Sequence, residues 1–596
     1  MYKNLLEFIE KLKEEKEIKF IKQEVSPHLD ISKITDKESK SKNGGKALCF
    51  TNVKNSRFPV TTNIFGSDKR ICLALGVDKL DDLGERVKEY IHTNPTKNIK
   101  GILNILKLVG NAANFFPRKY RGKTPPCRQV VYTGDKVDLS IIPVLTCWPK
   151  DAGPFITLPM VITKSLSTGK RNIGMYRLQV FDKNTTGMHW HIHKDGSHYY
   201  NEYKKAKKRM PVAVAIGAAP SLIYAATAPM PTGMDETILA GFINKKPVYT
   251  TKCLTIDLEV PADAEFILEG YVDPEEKRLE GPFGDHTGYY SLADDYPVFH
   301  VTAITHKENP IYNATLVGRP PMEDCYMARA TERLFLPLIQ SVIPEITDYF
   351  FPMEGVFHNI VIVSINKEYP GHAHKVINGL WGQGQMSFCK AIIIIDDNIK
   401  PSDLKKIAML FLTRFDDPLS DIIEGKGILD VLDHSSPYAN FGAKIGFDLT
   451  KRFQGEPPRK ESASKKGSIK ENIKEVLYKE TDFIKNIRIL FSEISEDYNG
   501  KKAAAFAIDK PKDKPGADSA LKILKAKEAK IFDIIILFDK DINLEDDSLL
   551  LWKVFNNVDP KRDIIIKNAR VIINACKKGI ADGHLREWPE DLSFDI

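Results

Sequence analysis

The stretch KAIIIIDDNIKPSDLKKIAMLFLTRFDDPLSDI, residues 390–422, decides the fold class. Its apolar run, 391–395, is short and dominated by β-branched Ile, so it reads as a buried strand. Asp396 and Asp397 close the run, and 403–415 follows with helical patterning. Strand, acidic turn and amphipathic helix in that order indicate an α/β domain. A helix at 322–341 and a second buried run at 360–365 precede it. Further along, FDIIILFDKDINLEDDSLLLWKVFNNVDPKRDI (532–564) can be set beside it. Asp539 then falls on Asp396, Ile542 on Ile399 and Asp546 on Asp403; one residue of slippage later, Asp559-Pro560 falls on Asp417-Pro418 and Asp563-Ile564 on Asp421-Ile422. Generic patterning does not demand the shared Asp-Pro-x-x-Asp-Ile ending. The extension is therefore expected to be a degenerate second copy, covered by the first and serving packing or assembly.

Working outward, residues 456–475 (EPPRKESASKKGSIKENIKE) read as a polar, lysine-rich linker. On the other side, short Val-, Ile- and aromatic-rich segments at 129–133, 158–163, 210–216 and 266–271 are punctuated by Gly and Pro, which predicts a mostly β region over 121–312. Residues 1–120 alternate helical patterns with short apolar runs, starting from an amphipathic helix that carries Leu5, Leu6, Phe8, Ile9 and Leu12. Four domains follow: 1–120, 121–312, 313–455 and 456–596.

Bulk properties exclude several classes. The excess of 86 Lys and Arg over 79 Asp and Glu is small and dispersed, so no nucleic acid partner is expected. No apolar run approaches a membrane span and the start lacks a secretory pattern, which leaves a cytoplasmic protein with reduced thiols. The eight cysteines form no CxxC pair, so spacing gives neither a zinc site nor a disulfide framework.

Polar clusters stand out against this background. In LEGPFGDHTGYY (279–290), Glu280 and Asp285 flank a tight turn with His286 adjacent, an arrangement that could separate two carboxyl pKa values. In KRNIGMYRLQ (170–179), Arg177 could grip a carboxylate and Asn172 could offer oxygen to a hard cation. In MHWHIHKDGSH (188–198), His189, His191 and His193 alternate and would share one face of a strand. Glu236 ends the rigid loop TAPMPTGMDE where helical patterning begins. Alone, the acid turn, the Asn172–Arg177 segment and Glu236 read more readily as an ordinary turn, ion pair and helix start, and the three histidines as a solvated row or, preferably, a row with a single metal ligand.

Taken in order, CWPKDAGPFITLP, RNIGMYR, HWHIHKDG, PMPTGMDE, DLEVPADAEFILEG, LEGPFGDHTGYY and SSPYANFGAKIGFD resemble the UbiD family of decarboxylases over residues 120–455. That resemblance implies an α/β (α+β) protein with a central split β-barrel-like flavin-binding domain, an N-terminal α/β region and a C-terminal α/β oligomerisation domain, to which the internal echo adds the duplicated extension. It implies prenylated FMN, Mn2+ or Mg2+, and K+ as a further ion. Asn172, His193 and Glu236 fall on the metal positions. Met175, Tyr176, Arg177, His189, Trp190, His191 and Lys444 fall on flavin-binding positions, and Arg177, Glu280 and Asp285 on the catalytic network. Many relatives carry Arg-Gly where this chain has Lys194-Asp195. The implied partners are a small aromatic carboxylic acid, a flavin prenyltransferase that supplies the cofactor, and further copies of the chain in a homodimer or a multiple of it. The wording of the histidine and proline motifs looks more like the menaquinone branch than the ubiquinone branch, whose substrate is 3-polyprenyl-4-hydroxybenzoate. A flavin oxidoreductase or a non-catalytic flavin carrier would not need Glu280 and Asp285 beside Arg177.

Overall fold

The computed structural model describes residues 2–91, 113–190, 195–230, 233–415, 421–458, 473–481, 483–491, 501–511, 513–567 and 570–595. The chain is mixed α/β and divides into two compact units, Met1–Leu334 with Glu590–Ile596, and Phe335–Pro589.

The first unit opens with the helix Leu5–Glu14. Asn4 caps it by accepting from the Glu7 amide, and Leu5, Phe8, Ile9 and Leu12 form its buried stripe. Leu6 stays half-exposed because it falls off that stripe. A four-stranded sheet follows, ordered Ile18–Ile21, Ala47–Phe50, Val60–Thr62, Tyr312–Asn313.

The central sheet has seven strands. Its path runs Thr185–Gly187, Asp294–His306, Phe266–Glu280, Met210–Ile216, Pro159–Lys164, Arg171–Met175, with Val130–Thr133 also on Asp294–His306. Its pairs are antiparallel, and it does not close on itself among the described residues. The strand expected at 266–271 continues to Glu280, through register shifts at Glu269/Gly270 and Val272/Lys277. The second bulge re-aims the strand so that Glu280 arrives buried at its far end. At the first shift a Cβ on Gly270 would meet the His300 carbonyl oxygen at 1.8 Å, so only glycine fits.

The second unit holds two five-stranded sheets of identical order and direction. The first runs Ile346–Phe350, Ile360–Ile365, Ala391–Asp396, Phe441–Asp448, Ile422–Ile428; the second runs Ile484–Leu490, Ala503–Ile508, Ile534–Asp539, Arg570–Asn574, Ile564–Lys567. Each has antiparallel outer pairs and parallel inner pairs, and each has an irregularity near the start of its first strand. The aligned aspartates do the same work in both. Asp403 caps the helix Leu404–Arg414 through the Lys406 amide, and Asp546 caps Asp547–Asn557 through the Leu549 amide. The Asp417-Pro418 pair lies outside the described residues.

The second sheet packs on the first. Ile360, Ile362, Ile393 and Ile395 share a core with Val571, Phe555 and Ile573, and Asn359 Nδ2 donates to Asn556 Oδ1 at 2.9 Å. His372 opens the helix His372–Trp381, stacks on Tyr369 and lies 3.1 Å from the Glu345 carboxylate, a structural role.

Candidate active site

Three segments of the first unit converge. Arg177 follows the strand Arg171–Met175, Glu280 ends Phe266–Glu280, and Asp285 sits in the turn of a hairpin whose arms are Phe283–Gly284 and Tyr290–Ser291. The Asp285 amide donates to the Tyr289 carbonyl at 3.0 Å and the Gly288 amide donates to the Asp285 carbonyl at 3.0 Å. Gly288 takes φ +84°, a left-handed conformation that side chains rarely adopt.

Arg177 spends its fork on all three neighbours. Nε donates to Glu280 Oε1 at 3.0 Å, Nη1 to Asp285 Oδ2, and Nη2 to Ser291 Oγ at 3.0 Å. Its guanidinium lies over the Phe283 ring, 4.7 Å from the centroid. Glu280 Oε1 also meets His189 Nδ1 at 2.8 Å, and the His189 ring lies 4.1 Å from that of Tyr296. Asp285 Oδ1 accepts from the His286 amide at 2.7 Å and lies 3.0 Å from His286 Nδ1.

Glu280 is fully buried and Asp285 nearly so. Burial alone would raise both carboxyls, but their partners outweigh it. Arg177 and His286 hold Asp285 well below the usual carboxylate range, and His189 with Arg177 lowers Glu280. Burial, then the Arg177 charge, lowers His189, which favours the neutral imidazole. Both acids therefore rest as anions sharing one cation.

The segments that carry Asn172 and Glu236 also meet. Arg171 Nη2 donates to Asp235 Oδ2 at 2.6 Å, and the Ile173 amide donates to Glu236 Oε2 at 2.7 Å. Asp235 caps the helix Glu236–Asn244, so Glu236 starts a helix as its sequence context suggested. Asn172 and Glu236 are both buried, and Asn172 Nδ2 has no hydrogen-bond partner among the described residues. The Asn172 carbonyl oxygen and the Glu236 carboxylate are oxygen ligands of the type a hard cation takes, whereas the orphaned Nδ2 is an N–H donor and would not bind one.

Tyr176 and Trp190 are buried nearby: a Cβ on Gly196 would meet Trp190 Nε1 at 2.9 Å and the Tyr176 hydroxyl at 3.2 Å. The indole Nε1 has no partner among the described residues, which suits a polar ring edge laid against it. Met175 is half-buried on its strand. His191 and His193 lie outside the described residues, so the alternating-histidine face finds no test. Residues 188–190 are not strand, and the Trp190 amide donates to the Met188 carbonyl at 2.9 Å. Lys444 belongs to the second unit, where Nζ donates to the carbonyls of Ser387 (2.5 Å) and Cys389 (2.9 Å), and burial lowers its pKa to about 8.

Sequence reasoning missed Ser291, Tyr296, Gln179 and Asp151. Gln179 Oε1 accepts from the Gly281 amide at 2.8 Å, and Asp151 Oδ1 from the Gly284 amide at 2.7 Å. Asp151 stood within the quoted CWPKDAGPFITLP, which was its one available signal.

The chain matches models of the 3-octaprenyl-4-hydroxybenzoate carboxy-lyase N-terminal domain at 9–87, Rift-related domain at 118–320 and C-terminal domain at 325–449 and 493–573. An uncharacterised protein of Helicobacter pylori J99 is 39% identical over 601 residues, covering 99% of this chain and 94% of that one. One from Archaeoglobus fulgidus is 47% identical over 458 residues, covering 76% and 93%. Among solved structures, the vanillic acid decarboxylase of Sedimentibacter hydroxybenzoicus in closed form matches with TM-score 0.69 at 25% identity, covering 80% of this chain and 98% of that one. An evolved dimeric form of the UbiD-class enzyme HmfF from Pelotomaculum thermopropionicum, in complex with prFMN, matches with TM-score 0.62 at 25% identity, covering 77% and 97%. With the family models matching in order from residue 9 to residue 573, the chain belongs to the UbiD family of carboxy-lyases.

Proposed function

We propose that the chain decarboxylates an aromatic, quinone-precursor carboxylic acid using prenylated FMN, anchored through Mn2+ or Mg2+. The observation that carries this reading is the buried Arg177–Glu280–Asp285 cluster, in which one guanidinium serves two acids. Asn172 and Glu236, joined by His193, would hold the cation. Met175, Tyr176, Arg177, His189, Trp190 and His191 would line the flavin. When bound, that cofactor supplies the electron sink that no side chain provides.

The remaining chemistry falls to the chain. Arg177 accepts the substrate carboxylate in bidentate fashion by giving up Asp285 and Ser291. Asp285, still buried but stripped of its cation, then rises in pKa and takes up a proton. Loss of CO2 leaves an electron pair on the aromatic carbon, and Asp285 delivers its proton there. The resulting carboxylate returns to Arg177. Glu280 stays on Nε throughout and keeps the fork aimed, with neutral His189 steadying its carboxylate.

The wording of MHWHIHKDGSH and TAPMPTG supports a naphthoquinone-type acid of menaquinone biosynthesis as substrate. The test is co-expression with a flavin prenyltransferase, followed by cofactor mass, metal content and CO2 release from naphthoquinone-type acids and from 3-polyprenyl-4-hydroxybenzoate. Release from the first alone is expected, and its abolition in Asp285→Asn with the flavin retained. Release from the polyprenyl acid alone would move the chain to the ubiquinone branch, and ordinary FMN with no release would overturn the reading. Sizing of the same preparation is expected to give a homodimer or a multiple of it.

A further inference from the structure

The hairpin that carries Asp285 is bridged by a segment from the far end of the sequence. Residues 590–595 belong to the first unit, although the 255 residues preceding them form the second. Asp591 bridges antiparallel to Tyr289. The Tyr290 amide donates to the Glu590 carbonyl at 3.0 Å, and the Leu592 amide donates to the Gly288 carbonyl at 2.9 Å. These two bonds flank Tyr289 and hold the arm that leaves the turn presenting Asp285 and His286.

Side chains anchor the segment. The Phe594 ring stacks on Trp148 with centroids 4.5 Å apart at 26°, and Leu592 and Phe594 pack against the main core of the unit. Trp148 is itself fully buried, its Nε1 donating to the Val317 carbonyl at 2.9 Å. It lies directly on the hairpin: a Cβ on Gly284 would meet Trp148 Cδ1 at 2.1 Å and Leu592 Cδ2 at 2.9 Å. The Lys150–Glu590 ion pair is exposed on both sides and contributes little.

Asp151 clamps the same hairpin from within. One carboxylate oxygen takes the Gly284 amide at 2.7 Å, the other the Cys147 and Trp148 amides at 3.0 and 2.9 Å. Gly284 immediately precedes Asp285. The acid turn is thus held at its first arm by Asp151 and along its second arm by 590–592.

We propose that residues 590–594 are a positioning element for the catalytic acid, with Leu592 and Phe594 holding the 284–291 turn so that Asp285 meets Arg177. This rests on the role proposed for Asp285. Hairpins of two strands are marginal alone, and a bridging segment with apolar anchors supplies what a two-residue arm lacks. The segment itself reaches no reacting atom; it acts through the turn.

The test uses the full-length holoenzyme with Phe594→Ala, which removes the stack on Trp148, and Leu592→Pro, which removes the amide bonded to Gly288. Hydrogen exchange is read at the 284–291 amides beside kcat, KM and flavin content, with exposed Ser593→Ala as control. Faster exchange confined to 284–291 is expected, with kcat reduced roughly 10–100-fold, as for an Ångström-scale misplacement of a catalytic group. KM and flavin content should stay near parental values, and Phe594→Tyr should restore kcat. Faster exchange with parental kcat in both variants would overturn the proposal, as would parental exchange at 284–291. If Leu592→Pro does not fold, Phe594→Ala decides alone. Full activity in Asp285→Asn would instead remove the acid role itself, an outcome the exchange data would not mimic.

Discussion

Replacing Glu280 by Gln swaps a buried carboxylate for its neutral isostere and leaves the backbone at the end of the long strand undisturbed. Oε1 receives two donors, Arg177 Nε at 3.0 Å and His189 Nδ1 at 2.8 Å, and the Gln carbonyl can still accept both. What changes is charge. A hydrogen bond to an ionised group contributes about 1.5–3 kcal/mol and a neutral one about 0.5–1.5, so two bonds lose roughly 2 kcal/mol together. The new amide nitrogen takes the place of Oε2, which has no partner among the described residues and lies 2.6 Å from where a Cβ on Gly187 would stand. A buried donor left unpaired costs a further ~1–3 kcal/mol. The expected result is a stability loss on the order of 3–5 kcal/mol. With the fork no longer aimed and proton handling impaired, kcat should fall on the order of 10²–10⁴-fold. Urea unfolding and CO2 release, measured on protein with matched flavin content, check both numbers. A folded variant with kcat within about threefold of the parent, far short of that loss, would refute the reasoning.

The folded pKa values of Asp285 and Glu280 lie below their unfolded ones, so their contribution to stability is complete above about pH 4–5 and disappears as pH falls through the folded values. The urea midpoint should therefore drop steeply on acidification, and less steeply in Asp285→Asn; parallel profiles would count against the Arg177 pairing. Asp151 acts with opposite sign: burial raises it to about 7, so its share of stability declines as pH rises from about 4 towards 7. Glu236→Gln should lower bound metal and flavin together, read by elemental analysis and absorbance, because one of two buried oxygen-ligand positions loses its charge. Retained metal with lost flavin would show that Glu236 serves the flavin by another route.

Much of the second unit was legible because its signals are local. An Ile run, an acidic turn and a helix that Asp403 caps lie within twenty-five residues, and the same holds at 534–557. The central sheet was legible only in part. Asp273, Pro274, Glu275 and Glu276 interrupt the apolar pattern of 266–280, so the strand looked finished where it merely bulges, and its partner Asp294–His306 went unread. Strand pairing across such separations leaves no periodic trace. The Arg177–Glu280–Asp285 cluster was visible only through the order of its motifs, since Arg177 and Glu280 stand 103 residues apart and each looks ordinary locally. Segment 590–595 was illegible for another reason. Its two apolar residues, Leu592 and Phe594, are too few to signal a strand, and the hairpin they brace is some 300 positions earlier.

The paired sheets of the second unit set the folding chain a problem of discrimination. Each copy has a second strand that must pair parallel with its own third strand, and the two copies offer sites of the same geometry within one chain. Exchanged pairings of this sort are a characteristic failure of repeated architectures. Composition separates them here. The second strand of the first copy is IVIVSI and that of the second is AAAFAI. Val361 and Val363 fill space against Val376, Ile377 and Leu380, whereas Ala504 and Phe506 face Ala520 and Ile523. An alanine-rich strand in the first site would leave voids, and an isoleucine-rich strand in the second would overfill it. Divergence between the copies thus works as an address label, and a chain whose two second strands were made alike would be expected to refold more slowly and to aggregate.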